Sequence, residues 1–129
     1  MQESSEHRPG FRALIIDDDL DLLMLLRRTL EFTAGWEVHT ASSGTAGLEL
    51  AGRISPDVVL VDVMMPEMDG YDVCRRLKAD PATSKVPVVL LTARREMVEE
   101  RVASAGAVGV LYKPFQPTEL ARQIQDLCG

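Results

Sequence analysis

Basic residues are in the minority in this chain, 14 lysines and arginines against 20 aspartates and glutamates, for a formal net charge of -6. A nucleic-acid surface needs a basic stripe to displace counterions from phosphates, so direct nucleic-acid binding is not expected. Histidine is scarce, and His7 and His39 are too isolated to suggest a metal site. The only cysteines, Cys74 and Cys128, lack metal-ligand spacing and fall in segments that read as helical. They are expected to be buried or idle thiols in a reducing cytoplasm. No apolar run approaches the roughly 18 residues of a membrane span, and residues 1–12 carry no apolar signal core. A cytoplasmic protein without membrane contact is the expectation. No internal repeat or low-complexity tract divides the 129 residues, and 46% hydrophobic with 26% charged residues suits one domain with its own core.

What is present is a set of short apolar runs. Val58, Val59, Leu60 and Val61 read as a strand buried on both faces, bounded by Asp57 before it and a segment rich in Pro, Asp and Gly after it. Residues 13–16, 86–92 and 108–112 are runs of the same kind, Pro87 being tolerated near a strand start, and 36–41 alternates weakly like an edge strand. Between them lie helical patterns. Asp19 opens one in which Leu22, Leu23, Leu26 and Leu30 share a face and Gly35 is the stop. Ser42 or Ser43 caps a second to about Arg53, weakened by Gly47, and Asp69 caps a third from Gly70 to about Ala79. A thin polar helix is expected over 94–105, stopped by Gly106, and Pro117 opens a last one with Leu120, Ile124 and Leu127 in a stripe. Strict alternation of apolar strands and helices predicts an α/β domain, a doubly wound three-layer sandwich around a five-stranded parallel sheet.

In a parallel sheet the carboxyl ends of all strands lie on one edge, where ligands collect. That edge gathers Asp17 and Asp18, Asp62, Thr92 and Lys113. Two carboxylates about 4 Å apart repel by about 4 kcal/mol at an effective dielectric near 20, so they stay ionised only beside a cation. Lys113 supplies one positive charge against three acids. An all-oxygen ligand set of this size suits Mg²⁺ better than Zn²⁺, which prefers His or Cys. Such an ion could position a phosphoryl group while Asp62 attacks the phosphorus, with Thr92 and Lys113 binding phosphoryl oxygens.

The motifs Asp17-Asp18, Asp62 followed by Met64, Met65, Pro66, Met68, Asp69 and Gly70, then Thr92-Ala93 and Lys113-Pro114-Phe115 resemble the receiver domain of bacterial two-component response regulators, the chemotaxis regulator among them. The resemblance implies a flavodoxin-like strand order of 2-1-3-4-5, a flexible tail over 1–11 and a receiver domain over 12–129. It makes Asp62 the phosphoacceptor, Asp18, Asp62 and the backbone carbonyl of Met64 the Mg²⁺ ligands, and Asp17 an acid acting on the metal through water. Thr92 becomes the switch hydroxyl, Lys113 the phosphoryl-binding lysine, and Ala93 the small residue whose amide approaches the phosphoryl oxygens. Asp19 has no role in the pattern beyond a helix cap. The Lys113-Pro114 peptide is expected to be cis.

The implied partners are a sensor histidine kinase or histidine phosphotransfer protein as donor, and an effector read through the fourth helix, last strand and last helix. A phosphorylation-dependent homodimer is a further option, and the chain is a signalling module that promotes its own phosphotransfer and autodephosphorylation rather than an enzyme with a separate substrate. With nothing after Gly129, it reads as a stand-alone regulator or a piece of a longer one. Val110 stands where the family carries Tyr or Phe, so the usual aromatic readout should be weak and the output face is expected to run over 94–105 and Tyr112. Two other classes stay open. One is an interaction domain read only in its unphosphorylated form. The other is a flavin carrier, disfavoured because Asp17, Asp18 and Asp19 would repel a flavin phosphate.

Overall fold

The computed structural model describes residues 10–93 and 99–129; residues 1–9 of the expected tail and 94–98 of the expected fourth helix lie outside the described residues. The elements are β1 (Arg12–Ile16), α1 (Leu20–Ala34), β2 (Glu37–Ala41), α2 (Gly44–Ile54), β3 (Val58–Asp62), α3 (Gly70–Ala79), β4 (Val88–Thr92), α4 (Glu99–Ala105), β5 (Gly109–Tyr112) and α5 (Leu120–Cys128). All strand pairs are parallel, in the order β2-β1-β3-β4-β5, which is the order and alternation expected.

Side-chain alternation along each strand splits the interior into two layers. Ala13, Ile15, Leu60 and Leu91 face Leu23, Leu26 and Leu30 of α1 and Ile124 of α5. Leu14, Ile16, Val61 and Leu90 face Ala51 of α2, Val73 and Leu77 of α3 and Val102 of α4. The central strand β3 is buried along its whole length, as its unbroken Val/Leu run requires when helices cover both faces.

Local chemistry sets most helix ends. The Asp19, Ser43 and Asp69 side chains accept the backbone N–H of Leu22, Ala46 and Asp72, so each helix has one of its orphan donors satisfied. Gly35 ends α1 at φ 69°, returning its N–H to Leu30 and Glu31, and Gly106 follows α4 at φ 88°. Several boundaries differ from expectation: β1 begins at Arg12, β3 runs on to Asp62 and β5 begins at Gly109. β2 begins at Glu37, with Trp36 instead buried against the Phe11 ring, the centroids 4.6 Å apart. β4 begins at Val88, because Pro87 has no N–H to give to the ladder. α5 begins at Leu120, since Glu119 N–H bonds the Gln116 carbonyl in a tighter turn of the kind that often precedes a helix.

Gly47 is more than a weak point in α2. A Cβ there would stand 2.3 Å from Ile16 Cδ1 and 2.7 Å from Ile16 Cγ1, so the missing side chain lets α2 lie close on β1. Gly47→Ala is expected to gain about 1 kcal/mol of helix propensity and lose about 1–3 kcal/mol to overpacking, for net destabilisation in urea unfolding. Adding Ile16→Val should recover part of the loss; a single variant as stable as the parent would refute the packing account.

Candidate functional site

Asp17 follows β1, Asp62 ends β3, Thr92 ends β4 and Lys113 follows β5, so the sheet order brings all four to one edge. Lys113 Nζ donates to Asp17 Oδ2 at 3.0 Å and to Asp62 Oδ1 at 2.9 Å. The two carboxylate side chains are only 1% and 7% exposed, and the lysine 23%. Asp18 is exposed at the rim, yet one oxygen from each of Asp17, Asp18 and Asp62 lies within 4.8 Å of the others. Three oxygen donors gathered that closely, with one lysine among them, leave excess negative charge and a donor set of the kind Mg²⁺ takes.

Backbone bonds pin each contributor. Asp17 N–H reaches the Ala41 carbonyl of β2, and Asp17 Oδ1 accepts the Asp19 N–H at 2.9 Å, which turns the chain into α1. Val63 N–H bonds Leu91 O at 2.8 Å, and Lys113 N–H bonds Thr92 O at 2.8 Å, holding the ends of β3, β4 and β5 level. Thr92 is 2% exposed, whereas Ala93 is exposed and Met64 is 57% exposed. The Lys113-Pro114 peptide is cis, as expected. Asp19 serves as the α1 cap, the one role foreseen for it.

Burial pushes the Asp62 carboxyl above its usual value and Asp17 adds to this, while the hydrogen bond from Lys113 pulls the other way. For Lys113 burial acts downward, but the hydrogen bonds to Asp62 and Asp17 outweigh it and its value is raised. The two hydrogen bonds thus favour the charged lysine, whereas burial works against the ionised form of Asp62.

Two site features escaped the sequence reading. Gly70, quoted in the motif after Asp62 and read as the first residue after a cap, lies against the phosphoacceptor candidate itself: a Cβ there would be 2.4 Å from the Asp62 carbonyl oxygen, and its N–H bonds Val63 O at 3.0 Å. The motif gave the glycine no role of its own, and the Asp69-Gly70 pair is equally a helix start. The second feature is an apolar groove of about 300 Å³ between Leu22, Leu25 and Thr29 of α1 and Pro114, Phe115 and Pro117, with Asp19 and Lys113 also in its lining. Leu25 is 55% exposed and Phe32, one helical row along, 91% exposed. Helical spacing had marked only the core face of α1.

The model of the response regulator receiver domain matches residues 13–125. Response regulator MprA of Mycobacterium leprae (strain TN) is 43% identical over 118 residues, covering 90% of this chain and 50% of that protein. The chain thus spans about half the length of this relative. Among solved structures, the Vibrio cholerae chemotaxis protein CheY4 superposes with a TM-score of 0.87 at 29% identity, covering 92% of this chain and 98% of that one. The receiver domain of sensor histidine kinase PA1611 from Pseudomonas aeruginosa PAO1, which has magnesium coordinated in its active site cleft, superposes with a TM-score of 0.82 at 29% identity over 93% of this chain and 98% of that one.

The raised value of Asp62 has a signed consequence. A carboxyl whose value is higher folded than unfolded favours the fold below the ordinary carboxylate range and loses that contribution as pH rises through the folded value. Asp62→Asn removes the ionisation, so in metal-free buffer the variant should melt above the parent at pH 7, and the gap should close as pH falls toward the carboxylate range. A gap that is absent, reversed or independent of pH would contradict the assignment of desolvation as the dominant cause.

Proposed function

Because the chain belongs to the response regulator receiver domain family, we propose that it accepts a phosphoryl group on Asp62 and thereby switches a protein-interaction surface. The observation that carries this is the position of Asp62 at the end of the central strand, bonded to Lys113 and within 4.8 Å of carboxylate oxygens of Asp17 and Asp18. A carboxylate in a buried site, with a lysine beside it to receive new negative charge, is suited to attack phosphorus when ionised.

In the proposed step an Asp62 oxygen forms a bond to phosphorus as the bond from phosphorus to the donor's imidazole nitrogen breaks, the electron pair staying on that nitrogen and the other ring nitrogen keeping its proton, which gives an acyl phosphate and a neutral histidine. Lys113 then pairs with a phosphoryl oxygen, and Thr92 Oγ1 and the Ala93 amide take up the others. Asp18, Asp62 and the Met64 carbonyl would hold Mg²⁺, with Asp17 acting through water; the ion, when bound, neutralises charge on the phosphoryl oxygens. Hydrolysis of the acyl phosphate, promoted by the same residues, returns the chain to its resting form, so it acts as a signalling module rather than on a separate substrate.

The donor in this reading is a sensor histidine kinase or a histidine phosphotransfer protein. The groove between α1 and the β5–α5 segment supports it, because that groove reaches Lys113 and would bring an apolar partner surface to the edge of the site. The effector is assigned to the α4-β5-α5 face, where a homodimer could also form. No described helix is long and apolar enough to cross a membrane.

Acetyl phosphate with Mg²⁺ should add one phosphoryl mass to the chain and none to Asp62→Asn, and Asp18→Ala should abolish the Mg²⁺ dependence. Retained labelling of Asp62→Asn would overturn the reading. Mg²⁺ at about ten times its dissociation constant should add about 1.4 kcal/mol of stability to the parent and less to Asp18→Ala.

Leu25→Glu should slow transfer from a phosphorylated kinase on the order of tenfold while leaving labelling by acetyl phosphate unchanged. Equal slowing with both donors would show a damaged site instead of a lost docking surface.

A further inference from the structure

We propose that α3 reports the state of Asp62 to α4 through Arg101, whose guanidinium carbon stands 4.0 Å over the centre of the Tyr71 ring. The inference rests on the reading of Asp62 as phosphoacceptor and names the route by which its signal leaves.

The route starts at the β3–α3 junction. Gly70 N–H bonds Val63 O, and the Gly70 Cα is pressed so close to the Asp62 carbonyl that no side chain would fit between them. The first turn of α3 therefore cannot stay still when the end of β3 moves. Tyr71 is the next residue, 1% exposed, in the same packed layer as Val63 and Val102. A ring so enclosed transmits displacement instead of absorbing it.

α4 is the element suited to receive it. Among its described residues Val102 and Ala105 are the buried ones, so its described part fixes little apolar surface on the sheet. Its ties run to α3. Arg101 covers the Tyr71 ring, Cys74 Sγ donates to the Ala105 carbonyl at 3.2 Å, and Gly106 faces the Lys78 stem, where a Cβ would stand 3.0 Å from Cγ. Cys74 and Lys78 hold the far end of α4, while Arg101 meets α3 at the turn next to the acids. Arginine on an exposed helix has two states available, stacked on the ring or solvated, and a modest shift of the ring changes their balance. The Arg101–Tyr71 contact does not require an aromatic side chain at residue 110, where this chain has valine.

The test uses the full chain and trifluoroberyllate with Mg²⁺ as an acyl-phosphate mimic, read by backbone amide shifts. In the parent, amides at 62–65 and at 99–106 should both move. Arg101→Ala should keep the response at 62–65 and lose about threefold of the response at 99–106. Tyr71→Phe, which keeps the ring, should behave as the parent, and Tyr71→Leu as Arg101→Ala. An undiminished α4 response in Arg101→Ala overturns the proposal. So does loss of α4 exchange protection in that variant before the mimic is added, because the contact would then be a clamp on the fold. A parent that stays silent at 62–65 overturns the phosphoacceptor reading itself, and this route with it.

Discussion

The site depends on one ammonium group shared by two buried carboxylates. Lys113 Nζ sits within hydrogen-bond distance of both Asp17 and Asp62. Two unit negative charges about 4 Å apart cost about 4 kcal/mol at an effective dielectric near 20, and one cation placed between them reverses that sign. The price of the arrangement is net negative charge left over once Asp18 is counted, at a place the helices leave open to solvent. The same surplus makes the site attractive to a divalent ion and hostile to an anionic cofactor.

Such a triangle can form only if three strands distant in sequence end level with one another. The order β2-β1-β3-β4-β5 puts β1 and β3 side by side, with β4 between β3 and the strand that carries the lysine. Level ends are enforced by the pairing of Ile16 with Val61 between β1 and β3 and by backbone bonds from Val63 to Leu91 and from Lys113 to Thr92. The two apolar layers, in turn, make any one-residue slip costly, because a slip would move every side chain of a strand from one packed layer into the other. Core packing thus sets the register, and the register sets distances among charges.

Rigidity is unevenly distributed around the acids. β3 and β4 are buried along their length and β1 from Ala13 on, while the described residues of α4 bury Val102 and Ala105 and Met64 projects into solvent. Glu67, in the loop after β3, has φ 68°, a left-handed conformation that a non-glycine residue adopts at some cost. A fixed set of charges beside a movable helix and a strained loop is the physical form a switch requires, since a local change in charge can be read only by something free to respond.

Fold class and the principal site residues were legible in the sequence because they depend on local pattern. Unbroken Val/Leu runs specify strands buried on both faces, alternation with amphipathic segments specifies a parallel sheet, and the strand-end rule places Asp17, Asp62, Thr92 and Lys113 together. Caps at Asp19, Ser43 and Asp69 were readable too, being bonds between residues three apart. What could not be read were contacts between segments far apart in the chain. Gly47 looked like a weak helix position until Ile16 was found against it, Gly70 looked like a cap neighbour until the Asp62 carbonyl was found against it, and nothing local paired Arg101 with Tyr71. Sequence by itself determined which residues carry charge, which are apolar and with what period, and therefore which edge of which sheet holds the acids. Only the tertiary structure decided how closely they meet and which helices touch one another beside them, because separations of a few ångströms are set by packing among residues whose order in the chain says nothing about their distance.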